Sequence, residues 1–173
     1  MYKIYLISTL LTLFGGYTTS NIEDYIKEIV GTELKIDLDR MLIGGNSGLH
    51  LNDLNKPFKI IVYSDSSNCN ACDIKFPAWK IQHRELTVKN KNIGLIFIIN
   101  TENIDEMEQN ANVASVPGLR LYDAQGVFKK SNRLHSNRDL HTFLIDRNNK
   151  VILVGNPLTN HKIFALFKKA TES

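Results

Sequence analysis

Apolar positions along the chain repeat with two different periods. Ile22, Tyr25, Ile26, Ile29 and Val30 recur every three to four residues, which predicts a helix over 21–30 with Asn21 as its cap. Leu34, Ile36 and Leu38 alternate like a strand, and Gly44-Gly45-Asn46-Ser47-Gly48 reads as a turn or loop. After Pro57 comes the first strongly apolar run, which predicts a strand over 58–64. Ile74, Trp79, Ile81 and Leu86 support a helix running to about Thr87. The nearly continuous apolar run 93–99 marks a strand covered on both faces. Beyond it, the pattern predicts a helix over 104–111, a strand over 116–122, a turn at Asp123-Ala124-Gln125-Gly126 and a short helix over 127–134. Strands over 142–145 and 151–154 are joined by Asp146-Arg147-Asn148-Asn149-Lys150, a hairpin connection. A last helix over 160–169 gathers Ile163, Phe164, Leu166 and Phe167 on its apolar side. This order predicts an α/β fold: a central mixed sheet with helices on both faces.

Composition sharpens the picture only in part. At 173 residues, with 43% hydrophobic and 23% charged, the chain has room for one proper core and is not a disordered polymer. A formal net charge of +3, without a dense basic stripe, argues against a nucleic-acid partner. The Lys168-Lys169 pair falls where it complements the dipole of the last helix. Residues 1–20 read as a signal peptide: Lys3, a short apolar run from Ile4 to Phe14, then small residues. An uncleaved anchor or a buried N-terminal helix is the alternative. Tyr17 stands where a lipoprotein would need a cysteine. Residues 21–56 then form an N-terminal extension, helix plus strand or loop, ahead of a domain over 57–173. No G-x-S-x-G, P-loop or G-x-G-x-x-G supports a hydrolase or nucleotide-binding reading.

The chemistry concentrates at Cys69-Asn70-Ala71-Cys72, which holds the chain's only two cysteines. They follow the 58–64 strand and a polar turn, and are expected to open the next helix. Thiol–disulfide exchange needs a thiolate to attack and a second thiol to release the mixed disulfide, and this spacing supplies both. A helix N-terminus favours the anion and lowers a thiol pKa from about 8.5 to roughly 7–8. Cys69 is thus expected to be the nucleophile and Cys72 the resolving thiol, with no cofactor beyond their redox-active disulfide. Two other readings stay open: a structural disulfide in a non-catalytic binding module, and capture or delivery of copper by Cys69, Cys72 and a histidine, His141 or His135. His50, His83 and His161 have no partner legible in the sequence.

From residue 57 to 173 the element order resembles the thioredoxin superfamily, and the strand–helix insertion before the last hairpin resembles its TlpA-like and peroxiredoxin-like branches. Pro77, five residues after Cys72, matches the proline that kinks the active-site helix in thioredoxins, with Trp79 as a core support of that helix. Thr142-Phe143-Leu144-Ile145-Asp146 with Lys150-Val151-Ile152 is similar to the T-F-L-I-D-x-x-G-K-V signature of TlpA-like proteins. The resemblance implies a thioredoxin-like fold and a thiol–disulfide oxidoreductase of the bacterial periplasm. It implies protein disulfides or dithiols as partners, and a membrane electron donor. Several positions depart from the family. Asn68 replaces the aromatic residue before the first cysteine, Asp73 follows the second, and Val62 and Tyr63 stand where a buried acid is usual. Ser66 is only loosely similar to the threonine of peroxiredoxins. The loop that should face the dithiol reads Leu140-His141-Thr142, without the family's cis-proline. A non-proline cis bond costs about 3 kcal/mol, so a trans peptide is expected.

Overall fold

The computed structural model describes residues 19–65 and 74–172. Helix α1 (Thr19–Ile29) lays Ile22, Ile26 and Ile29 into the core at the spacing of one helix face. Asn21 lies inside this helix rather than capping it. The strand expected around Leu34, Ile36 and Leu38 does not form. Glu33 makes one isolated bridge to Lys150, Leu34 is buried, and residues Leu38–Arg40 turn as a 3-10 helix. The backbone there meets the turn of the last hairpin instead, with the Leu34 N–H donating to the Asn149 carbonyl at 2.9 Å. Strand β1 (Leu42–Ile43) follows, and the expected glycine-rich loop opens a 3-10 helix, Gly45–Asn55. Gly48, Leu51 and Leu54 recur at its three-residue period.

The apolar runs settle into strands as predicted. Chain order gives β2 (Phe58–Asp65), α2 (Phe76–Thr87), β3 (Ile93–Asn100), α3 (Ile104–Ala114), β4 (Leu119–Tyr122) and α4 (Val127–Ser131). The hairpin β5 (Thr142–Asp146) and β6 (Val151–Val154) and helix α5 (His161–Thr171) complete it. Two spans are shorter than the pattern suggests. Strand β4 starts at Leu119 because Gly118, at φ 109°, turns the chain where a Cβ would meet the Leu95 carbonyl oxygen at 2.5 Å. Helix α4 ends at Ser131, two residues before Arg133 adopts a left-handed φ of 49°.

Six strands form one sheet in the order β1-β4-β3-β2-β5-β6. Neighbours β4, β3 and β2 are parallel, while β1, β5 and β6 each run antiparallel to the strand they join. Strand β2 is therefore central, paired to β3 from Phe58↔Ile93 to Asp65↔Asn100 and to β5 from Phe58↔Asp146 to Val62↔Thr142. One further bond, Tyr63 N–H to the His141 carbonyl at 2.9 Å, extends the second ladder to the end from which the cysteine-bearing segment leaves. Phe76 and Trp79 of α2 pack edge-on against Phe97 of β3, at centroid distances of 5.2 and 6.3 Å. Lys168 and Lys169 occupy the last turn of α5, as its dipole favours. No helix among the described residues is long and apolar enough to cross a membrane.

Candidate functional site

Cys69 and Cys72, with Ser66, Asn68 and Asp73, lie outside the described residues, as does most of the segment read as a signal peptide. What the structure describes is their setting. Asp65 ends β2 and Ile74 resumes the chain, and both line a cavity of about 290 Å³ shared with Lys75, Trp79, His141 and Thr142. In the sequence, the dithiol segment joins these two cavity-lining residues. This is the carboxyl end of the parallel strands, where open α/β sheets hold their ligands.

Helix α2 does not begin as the sequence suggested. Lys75 is left-handed, at φ 54° and ψ 48°, and an α-helix of L-residues cannot run through such a residue. Phe76 therefore starts the helix. Pro77 sits in its first turn, where a missing N–H loses no bond; the helical turn expected at the cysteines lies outside the described residues. Trp79 is 1% exposed, as a core support of this helix should be, while also reaching the cavity wall.

Opposite α2, a 3-10 turn over Arg138–Leu140 delivers His141, with the Asn137 side chain accepting from the Asp139 N–H. Leu140 is buried in the core and does not line the cavity; His141 and Thr142 do. The described chain has no cis peptide bond, so Leu140–His141 is trans as expected. His141 Nε2 lies 2.6 Å from the His135 carbonyl oxygen, and because a carbonyl can only accept, Nε2 carries the hydrogen. Burial pushes His141 below the ordinary histidine value of 6.5. The His135 bond and the Asp65 charge act the other way, and Lys129 and Arg138 add to the lowering.

The His141 ring meets Tyr63 edge-on at 5.4 Å, and Tyr63 also stacks on Phe128 at 5.6 Å. Burial, followed by the carboxylates of Asp65 and Asp123, pushes the Tyr63 hydroxyl well above its ordinary value of 10.0. It finds no hydrogen-bond partner among the described residues. Asp65 pairs with Lys129 of α4 at the rim. Sequence reading missed Asp65, Lys75, Arg138 and the 156–159 loop as cavity residues. Lys75, three residues beyond Cys72, carried a signal by its proximity. The loop carried none, since only the fold brings it across. His50 pairs loosely with Asp53, at 3.9 Å, and His83 with the Ile93 carbonyl, at 3.2 Å, neither in the cavity lining. Among the described residues no cluster of three histidine, cysteine or acidic side chains could hold a metal ion.

No family model and no curated protein sequence matches the chain. Solved structures match it at low identity. The thioredoxin domain of a thiol-disulfide oxidoreductase from Bacteroides vulgatus aligns with 82% of this chain and 97% of its own, at 14% identity and TM-score 0.58. A protein assigned as thiol:disulfide interchange protein DsbE from Chlorobium tepidum aligns with 82% of this chain and all of its own, at 20% identity and TM-score 0.56. The chain has a thioredoxin-like fold. A further Bacteroides vulgatus structure, assigned as a thiol-disulfide oxidoreductase, covers 69% of this chain and 77% of its own at 20% identity and TM-score 0.53. Within this thioredoxin-like fold, β2 is the strand after which the sequence runs into the C-x-x-C, and β4 joins the sheet beyond β3.

Proposed function

We propose that this thioredoxin-like chain exchanges disulfides with partner proteins through Cys69 and Cys72. The observation that carries the proposal is that Asp65 and Ile74, on either side of the dithiol segment, line one cavity with His141 and Thr142. The segment joining those two residues in the sequence carries the chain's only two thiols. The neighbours of like fold titled as thiol-disulfide oxidoreductases support the same chemistry.

In this reading the Cys69 thiolate attacks a substrate sulfur and releases one substrate thiolate. Cys72 then attacks Cys69 and frees the second, leaving the Cys69–Cys72 disulfide. The leader-like residues 1–20 export the protein to the periplasm of a bacterium, where a membrane electron donor re-reduces the pair. Insulin reduction in the presence of a small dithiol tests the activity. The wild type should precipitate insulin well above the rate of a Cys69→Ser variant; equal rates would leave a binding module.

A further inference from the structure

Lys75 combines backbone strain with an unspent charge in the cavity wall. Its backbone is left-handed, at φ 54° and ψ 48°, a conformation unfavourable to any residue with a Cβ and open to glycine. Its side chain is exposed, lines the cavity, and makes no hydrogen bond or ion pair among the described residues. No internal contact of the ammonium therefore offsets the strain. Strain of this kind collects at ligand sites, where the side chain is needed for what it meets from outside. Lys75 also immediately precedes Phe76, so the positive end of the α2 dipole lies on the same side of the cavity.

The other charges around the cavity leave Lys75 to decide its sign. Asp65 is neutralised by Lys129 of α4. On the turn that delivers His141, Arg138 and Asp139 are neighbours of opposite charge, and both line the cavity. His141 is kept neutral near pH 7 by burial. These contributions cancel, and the Lys75 ammonium remains. Asn156 lies in the same wall with its Oδ1 committed to the Leu158 N–H at 2.9 Å, which leaves its amide N–H groups as donors for an oxygen. A volume of about 290 Å³ lies at the lower end of small-molecule pockets and suits one or two side chains of a larger partner.

We propose that this cavity recognises an acidic stretch of the partner protein, with Lys75 as its specificity-determining residue. A partner Asp or Glu carboxylate pairs with the Lys75 ammonium. The proposal rests on the dithiol-exchange reading for what the encounter achieves, but the recognition itself uses no thiol. A charge at a cavity rim contributes selectivity and encounter rate more than affinity. Its signature is therefore a preference between peptides of opposite charge.

The test titrates the full chain into fluorescein-labelled, cysteine-free Gly/Ser peptides carrying either glutamates or lysines, read by anisotropy at low salt. The glutamate peptide should bind more tightly, and Lys75→Gln should weaken it by about 3–5-fold. Lys75→Glu should reverse the preference. Asp139→Asn, which removes an opposing charge from the cavity wall, should tighten the glutamate peptide by about 2–5-fold. Lys75→Gly separates binding from folding, because it should lose the preference while unfolding at a higher urea concentration than wild type. Equal affinity for the two peptides, or a glutamate preference that survives Lys75→Glu, would overturn the proposal. So would displacement of the labelled peptide by free glutamate as readily as by the unlabelled peptide, since the site would then take a small carboxylate. Failure of the exchange reading looks different: wild type would not reduce insulin above Cys69→Ser, while the peptide preference would still follow Lys75.

Discussion

Arg120 points a guanidinium into the core from β4, where an unpaired cation would be expensive. Glu108 of α3 answers it with both oxygens, at 2.7 Å to Nε and 3.0 Å to Nη2, and also accepts the Tyr122 hydroxyl at 2.7 Å. Burial alone would raise the Glu108 carboxyl. The bonds from Arg120 and Tyr122, with the Arg120 charge, outweigh it and hold the group below its ordinary 4.5. A carboxyl lowered on folding stabilises the fold above its unfolded pKa and loses that contribution as pH falls through the folded value. Glu108→Ala should therefore cost about 3 kcal/mol in urea unfolding at pH 7, because it removes the carboxylate that balances the buried Arg120 charge. The gap to wild type should narrow only as pH drops below the ordinary carboxylate range. A gap that stayed constant down to pH 3 would count against this account. Tyr63 makes the opposite case. Its buried hydroxyl has no hydrogen-bond partner among the described residues, so Tyr63→Phe should raise stability by about 1 kcal/mol, read as a higher urea midpoint.

Element boundaries in this chain are set by a few backbone-directing residues. Lys75 holds a left-handed conformation that costs an L-residue about 1–2 kcal/mol, while glycine adopts it freely at an entropic cost of about 0.5–1 kcal/mol. Lys75→Gly should thus gain about 0.5–1 kcal/mol in thermal or urea unfolding, and Lys75→Val should lose at least as much. At the other end, the Asn160 side chain accepts from the N–H groups of Lys162 and Ile163, at 3.0 and 3.3 Å. Asn160→Ala should cost about 1 kcal/mol and Asn160→Asp almost nothing. These two cases show what a sequence discloses. Asn160 precedes an apolar helix face, so the start of α5 was legible. Nothing about a lysine announces a positive φ, so the start of α2 was not. The central strands were legible because Ile60–Val62 and Leu95–Ile99 are apolar at every position, which only a strand covered on both faces tolerates. The 3-10 helix before β2 was not, since its leucines stay partly exposed and its glycines resemble a turn. At the site, His141 could be singled out by its place before the Thr142-Phe143 strand. Its burial and its bond to the His135 carbonyl depend on a turn that no local pattern marks.

On the scale of the whole molecule, residues 19–56 are built into the same sheet and core as the thioredoxin-like part. Strand β1 pairs with β4, and Gly31 and Val151 exchange backbone bonds with the α1 end, Gly31 N–H to the Val151 carbonyl and Val151 N–H to the Thr32 carbonyl, both at 2.8 Å. Lys59, buried in β2, donates to the Leu54 carbonyl at 3.3 Å and to the Arg147 carbonyl at 3.0 Å, so the central strand relies on the 3-10 helix to solvate its own cation. Ile22, Ile26, Ile29 and Leu34 are all buried against the core. At about 1.5–3 kcal/mol per buried aliphatic side chain, these four are worth up to about 6–12 kcal/mol. A domain of this size has only about 5–15 kcal/mol of net stability. Deleting residues 1–56 should therefore leave a chain with no cooperative urea transition. A cooperative transition in the 57–173 fragment at the midpoint of the longer chain would mean that the N-terminal segment merely rests on a finished fold. The expected loss would mean that the segment is part of the folding unit.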